Sequence, residues 1–206
     1  MQDIITQEIL KHSLISFEVG KKIIDTLFEE DYKLPEEISK RRPSFLNFNN
    51  VLKWGGSVEN AHISALSCLN SDLGCFGGCY FIIKTYFEDQ SDNKEHTREL
   101  IYSMLNFGKK IQGFGNPIYK GLKSTDERCI TVRKTLYENL PVEKDVNDLI
   151  LLVKECVGKP IDANLVFWNA LSIYLLGLTK EYASLVFILA TQIRYINSLY
   201  DTNIEQ

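Results

Sequence analysis

Gly113-Phe114-Gly115-Asn116-Pro117-Ile118-Tyr119-Lys120-Gly121 is the stretch on which the reading of the fold turns. Its glycines permit positive φ and let a ligand approach backbone N–H groups closely. Pro117 holds Asn116 in an extended conformation. By itself the stretch also reads as a tight connection between two helices. A helix signal comes directly after it: Ser124 and Glu127 stand at capping-box spacing and open a helix to about Asn139.

On both sides of this turn, every apolar pattern long enough to read has helical period. Phe17, Ile23, Ile24, Leu27 and Phe28 form one stripe, and Leu100, Ile101, Met104 and Leu105 form another within a helix from about Lys94 to Phe107. Ser57 caps a helix to about Leu69. Gly74-Cys75-Phe76-Gly77-Gly78 reads as a second non-helical break, and Phe81-Ile82-Ile83 after it fits a short buried strand or a helix start. Downstream, Glu143 to Val157 is helical and stopped by Gly158 and Pro160. Asp162 opens the next helix, which Gly177 ends, and Thr179 caps a long final helix reaching about Tyr200. Two-residue alternation, repeats and low-complexity linkers are absent. The expected fold class is all-α, a helical array.

Composition bounds the function. The 206 residues are 45% hydrophobic and 24% charged, the balance of a globular protein. A net charge of −4 offers no basic field for nucleic acid. Lys40-Arg41-Arg42 beside Pro43 reads as a solvated loop. Met1-Gln2-Asp3 does not open a signal peptide, and no apolar run approaches the roughly 20 residues that span a bilayer. The expectation is a soluble protein of the cytoplasm, with no membrane partner. Five cysteines, Cys68, Cys75, Cys79, Cys129 and Cys156, are odd in number and irregular in spacing, which suits buried free thiols. Cys75-x3-Cys79 lacks the second ligand pair that zinc needs, so no metal is expected. No His stands obviously paired with either thiol as a catalytic partner.

The first turn is followed by Asp126-Glu127-Arg128 and then an amphipathic helix. This order resembles the citrate synthase family, including the citryl-CoA lyases, whose turn typically reads Gly-Phe-Gly-His-Pro-Val-Tyr-Lys and is followed by Asp-Pro-Arg. Phe76-Gly77-Gly78 is similar to that family's Leu-His-Gly-Gly turn. Asn164-Leu165-Val166-Phe167 through Leu176-Gly177-Leu178 resembles its Asn-Val-Asp-Phe…Leu-Gly-Leu segment, and Glu181 to Asp201 its last conserved helix. The resemblance spans roughly residues 60–201. It implies a helical fold of two domains, a large one shortened to residues 1–78 and 177–206 and a small one at 79–176. It also implies a cleft for an acyl-CoA and a keto acid, an Asp that takes a proton, two His that stabilise the enolate and the carbonyl, and arginines that hold carboxylates.

Position by position, that machinery is broken here. Phe76 stands at the first His position, Asn116 at the second, Val166 at the Asp position and Thr191 at about the Arg of the final helix; only Arg128 matches an anion-binding Arg. Asn116 can donate a hydrogen bond but cannot transfer a proton near neutral pH. A positioned general acid or base contributes roughly 10²–10⁴-fold and one oxyanion donor roughly 10²–10³-fold, so losing three such groups removes on the order of 10⁶-fold. The chain also ends about where the family continues to an Arg that reaches the partner subunit.

Relocated groups would be Asp162, one helical turn before Val166, and His62, on the helix before the Gly-rich break. A plain N-cap and a surface or core His are the bland readings of the two. His12 and His96 sit among polar residues and read as exposed. The expected catalytic candidates are therefore Asn116, Asp162 and His62. The expected ligand-binding residues are Gly113, Phe114, Gly115, Tyr119, Lys120 and Arg128, with Lys123 adding charge for phosphates. The expected function is a degenerate citrate-synthase-like protein that retains CoA, acyl-CoA or carboxylate binding or acts through a partner, with no resident cofactor. A diverged acyl-CoA condensing enzyme or lyase and a purely structural or regulatory module are the alternatives. Tyr182, Leu185, Val186, Phe187, Ile188, Leu189, Ile193, Tyr195, Ile196, Leu199 and Tyr200 cover most of the final helix. Either residues 1–53 fold back over it, or it is covered in a homodimer or a heteromer with a related enzyme.

Overall fold

The computed structural model describes residues 2–32, 43–115 and 126–190, with the backbone alone described at 2–3, 31–32, 43–45 and 66–76. Its helices are α1 (Gln2–Leu10), α2 (Phe17–Tyr32), α3 (Pro43–Lys53), α4 (Val58–Glu88), α5 (Glu95–Asn106), α6 (Glu127–Asn139), α7 (Glu143–Val157), α8 (Leu165–Leu175) and α9 (residues 180–190), with a short 3₁₀ turn at Asp92–Lys94 before α5. Among the described residues the only β pairing is a single antiparallel bridge between Phe114 and Ala163.

The centre of the molecule is α8. Every residue from Phe167 to Ile173 is buried, because this helix is apolar around most of its circumference and is enclosed by its neighbours. It packs on α4, α6 and α2. Ile24, Leu27, Ile82, Ile83, Leu149, Val153, Phe167 and Leu171 belong to one core cluster. Asn169 Oδ1 is buried in this helix without a hydrogen-bond partner.

α5 and α7 run almost as their periodicity predicts, and α7 ends on Gly158 in the left-handed region (φ 65°). Three element boundaries differ from the sequence reading. Gly74–Gly78 does not break the chain: α4 runs through it as 31 residues, about 46 Å of helix. Phe81-Ile82-Ile83 therefore lies in mid-helix, and the domain boundary expected after Gly78 falls inside α4. α6 is capped by Asp126, whose side chain accepts from the Arg128 N–H; Ser124 lies outside the described residues. α8 is capped by Asn164 and not by Asp162. Ser57 caps α4 as expected, accepting from the Asn60 N–H at 3.3 Å.

The final helix is partly enclosed by the chain itself where it is described. Val186 and Phe187 are buried in the main core, Tyr182, Ile188 and Leu189 are half-buried, and Leu185 is exposed. The N-terminal segment contributes to its surroundings: the His12 ring lies 6.5 Å from that of Tyr182, and the Leu14 N–H donates to the Leu176 carbonyl at 2.9 Å. Residues 193–200 of the expected apolar surface lie outside the described residues. Among the described residues no helix is long and apolar enough to cross a membrane.

Candidate functional site

Residues 113–115 are tied to the approach to α8. The Gly115 N–H donates to the Asp162 carbonyl and the Asn164 N–H to the Gly113 carbonyl, both at 2.9 Å. Asn164 then works at both ends of its amide. Its Nδ2 donates to the Gly115 carbonyl at 2.6 Å, and its Oδ1 accepts from the N–H of Val166 at 2.9 Å and of Phe167 at 3.4 Å. One side chain thus caps α8 and clamps the turn across 49 residues of sequence.

Gly113 is where three segments meet. Its φ is +84°, and a Cβ there would overlap Cys79 Sγ of α4 and stand 3.1 Å from the Cβ of Phe167. Only glycine lets the turn lie this close to both helices. The Gly-rich part of α4 serves the same contact, since a Cβ on Gly78 would meet Gln112 at 3.2 Å. Phe114 packs edge-on against Phe167, centroids 5.2 Å apart. Its own N–H finds no acceptor among the described residues.

At the start of α6, Arg128 is buried with a carboxylate from its own helix cap. Its Nε and Nη2 donate to the two oxygens of Asp126, each at 2.8 Å. This is a bidentate pair, the strongest geometry open to the two groups. Cys129 comes next in the chain; burial, helped by the Asp126 carboxylate and opposed by Arg128, pushes its thiol up to about 12. A shift in this direction favours the protonated thiol near neutral pH.

The other expected residues are dispersed. The Asp162 side chain is 91% exposed and pairs with Lys154 at 2.8 Å, while only its main chain reaches the turn. His62 packs edge-on against Phe48 of α3, centroids 4.9 Å apart. Val166 is half-buried in the first turn of α8. His12 and His96 are exposed, and His96 Nδ1 lies 3.3 Å from Asp89 Oδ1. Asn116, Tyr119, Lys120, Lys123 and Thr191, and the side chains of Phe76 and Cys75, lie outside what is described. Sequence reasoning missed the double role of Asn164 and the partnership of Asp126 with Arg128. The preference of Asn and Asp for N-cap positions carried both signals.

A groove of about 360 Å³ lies elsewhere, between Tyr86, Lys94 and Arg98 on one side and Asp148, Leu151 and Glu155 on the other. Its two cations are already engaged, Lys94 Nζ with the Asp89 carbonyl at 2.7 Å and Arg98 with Glu155 at 2.8 Å. Among the described residues no group of three or more His, Cys, Asp and Glu side chains is placed to hold a metal ion.

The backbone of this chain superposes on that of citryl-CoA lyase from Hydrogenobacter thermophilus with a TM-score of 0.66, at 16% identity, over 92% of this chain and 70% of the other. The fold is citrate-synthase-like. No protein family and no curated protein matches the sequence.

Proposed function

We propose that this chain holds CoA, an acyl-CoA or a small carboxylate at the 113–115 turn, and that it lacks the carbon–carbon bond chemistry of the citrate synthase family. One observation carries the reading: the turn is tied to the approach to α8 by two main-chain bonds and the Asn164 clamp, a main-chain arrangement that depends on no catalytic side chain. Val166, which the resemblance aligns with the family's proton-abstracting Asp, cannot replace that group. Asp162 is exposed and paired with Lys154, and His62 packs against Phe48, which supports reading neither as a base for the turn. Main-chain donors such as the Phe114 N–H survive any change of side chain, which is how binding outlasts chemistry. Arg128 favours the CoA end over the keto-acid end, because a ligand carboxylate would have to compete with Asp126.

Calorimetry and thermal unfolding with CoA and acetyl-CoA test this. We expect heat, and a rise in stability that reaches about 2.7 kcal/mol when ligand stands at 100 times its Kd. No heat and no shift at millimolar ligand would overturn the binding reading. In parallel, thiol release from acetyl-CoA and oxaloacetate should stay below about 0.01 per second, against a median enzyme turnover of roughly 10 per second. Faster release would overturn the non-catalytic reading and favour a diverged condensing enzyme or lyase.

A further inference from the structure

The groove between α5 and α7 has walls of opposite character. On α7, Asp148, Leu151, Leu152 and Glu155 recur at helical spacing, so one face of that helix supplies one wall. The other wall is Tyr86 at the end of α4, Asn93 and Lys94 in the turn that follows, and Arg98 on α5. That turn holds Asn93 and Lys94 at φ 52° and 56°, in the left-handed region that residues with a Cβ seldom adopt. There the Lys94 ammonium lies over the Tyr86 ring, 4.8 Å from its centroid, and donates to the Asp89 carbonyl.

Tyr86 is the residue whose polar end the fold does not satisfy. It is 5% exposed and lines the groove, and its hydroxyl has no hydrogen-bond partner among the described residues. A tyrosine so buried ordinarily finds one. Burial, reinforced by the Asp148 and Asp145 carboxylates, pushes this hydroxyl above its ordinary value, so it is a donor at neutral pH. Its neighbours on this wall have donors to spare. Lys94 has three N–H groups and places one on the Asp89 carbonyl. Arg98 has five, and places Nε on the Asn93 carbonyl and Nη2 on Glu155 Oε2. On the α7 wall, Lys144 holds Asp148 Oδ2 and Arg98 holds Glu155 Oε2; the second oxygen of each carboxylate is uncommitted among the described residues. Leu151, 56% exposed, lies between the two acids on the same helix face.

We infer that this groove binds an α-amino acid with an apolar side chain. The ligand's carboxylate takes the Tyr86 hydroxyl and the spare donors of Lys94 and Arg98. Its ammonium takes the uncommitted oxygen of Asp148, and its side chain lies along Leu151. The charges choose this class. A plain anion would face the two acids of α7, and a plain cation the two bases opposite, whereas a ligand carrying both charges complements both walls. The volume of about 360 Å³ is at the lower end of small-molecule sites, which suits a molecule of this size. The groove shares no residue with the turn at 113–115, so the inference does not rest on CoA binding there.

Calorimetry on the full chain tests this with L-leucine, with 4-methylpentanoate, which lacks the ammonium, and with 3-methylbutylamine, which lacks the carboxylate. L-leucine should bind with a Kd of about 1 mM or below. Each analogue should bind at least about tenfold more weakly, since each loses a charge-assisted contact. No saturable heat from L-leucine, L-valine or L-phenylalanine overturns the inference, and so does an analogue that binds as tightly as L-leucine. Tyr86→Phe removes an oxygen that bonds nothing among the described residues, so the far-UV spectrum should hold while leucine affinity falls about tenfold. Asp148→Asn, an exposed position, reads the ammonium end and should lower affinity by a similar factor. Unchanged affinity in either folded variant overturns the inference, and Asp148→Asn alone decides if Tyr86→Phe does not fold.

Discussion

Asn164 joins two elements through one amide, so it is the residue whose loss should be felt most for its size. Asn164→Ala removes an N-cap, at about 0.5–2 kcal/mol, and a hydrogen bond to Gly115, at about 1 kcal/mol. We expect a loss of about 2 kcal/mol in urea unfolding. Asp162→Ala should change stability by less than about 0.5 kcal/mol, because its side chain is solvated. The reverse ranking would return the cap to Asp162. The buried pair is a sharper case. Asp126→Asn removes the carboxylate charge from the buried bidentate pair and should cost about 3–5 kcal/mol. The double variant Asp126→Asn with Arg128→Met should recover part of that loss, since it removes the guanidinium charge as well. Equal losses in single and double variants would show that the loss does not come from unbalanced charge, since Asn at 126 keeps the cap.

Elements meet at positions where a side chain cannot be tolerated or where a loop is organised around one group. Gly113→Ala meets both a left-handed φ and the Cys79 and Phe167 contacts. The φ alone costs roughly 1–2 kcal/mol. Gly113→Ala with Cys79→Ala should regain the steric part and keep the φ part, as denaturation midpoints of the two variants would show. A second organising group is Asp89, at the end of α4. Burial pushes its carboxyl up, but hydrogen bonds from the N–H and hydroxyl groups of Ser91 and Thr97 outweigh this and hold it well below the usual carboxylate range. A depressed folded value means that this stability is present above the unfolded pKa of about 3.9 and is lost as pH falls below it. Asp89→Asn should therefore be less stable than wild type at pH 6, with the gap closing on acidification. A gap constant with pH would remove Asp89 from the acid response.

For the molecule as a whole, two hydrophobic clusters of unequal size predict unequal local stability. Amide exchange in residues 46–65 should be fast, while α8 and its neighbours exchange only through global opening. Uniform protection would show that residues 46–65 are held as firmly as the core.

Much of the helical order was readable in the amino-acid pattern alone. α7 begins and ends where its charges, periodicity and Gly158 place it, and Ser57 caps α4, because these signals lie within a few residues of each other. At the candidate site the positive φ that the sequence reading allowed its glycines is found at Gly113 and Gly115. Three things were not legible. Gly74–Gly78 looks like a break but continues as helix, since the close approach at Gly78 and Cys79 outweighs the low helix propensity of glycine. The sequence did not show that Asp126 holds Arg128 in a bidentate pair. The turn at 113–115 looked like a connection between neighbouring helices, but its partners are 162–164, 49 residues away from Gly115 to Asn164. Period and capping are written in local chemistry, so the order of residues was enough to set the helices and the side chains available. Which distant segments touch depends on how the apolar faces pack together, and that is fixed only in the folded chain.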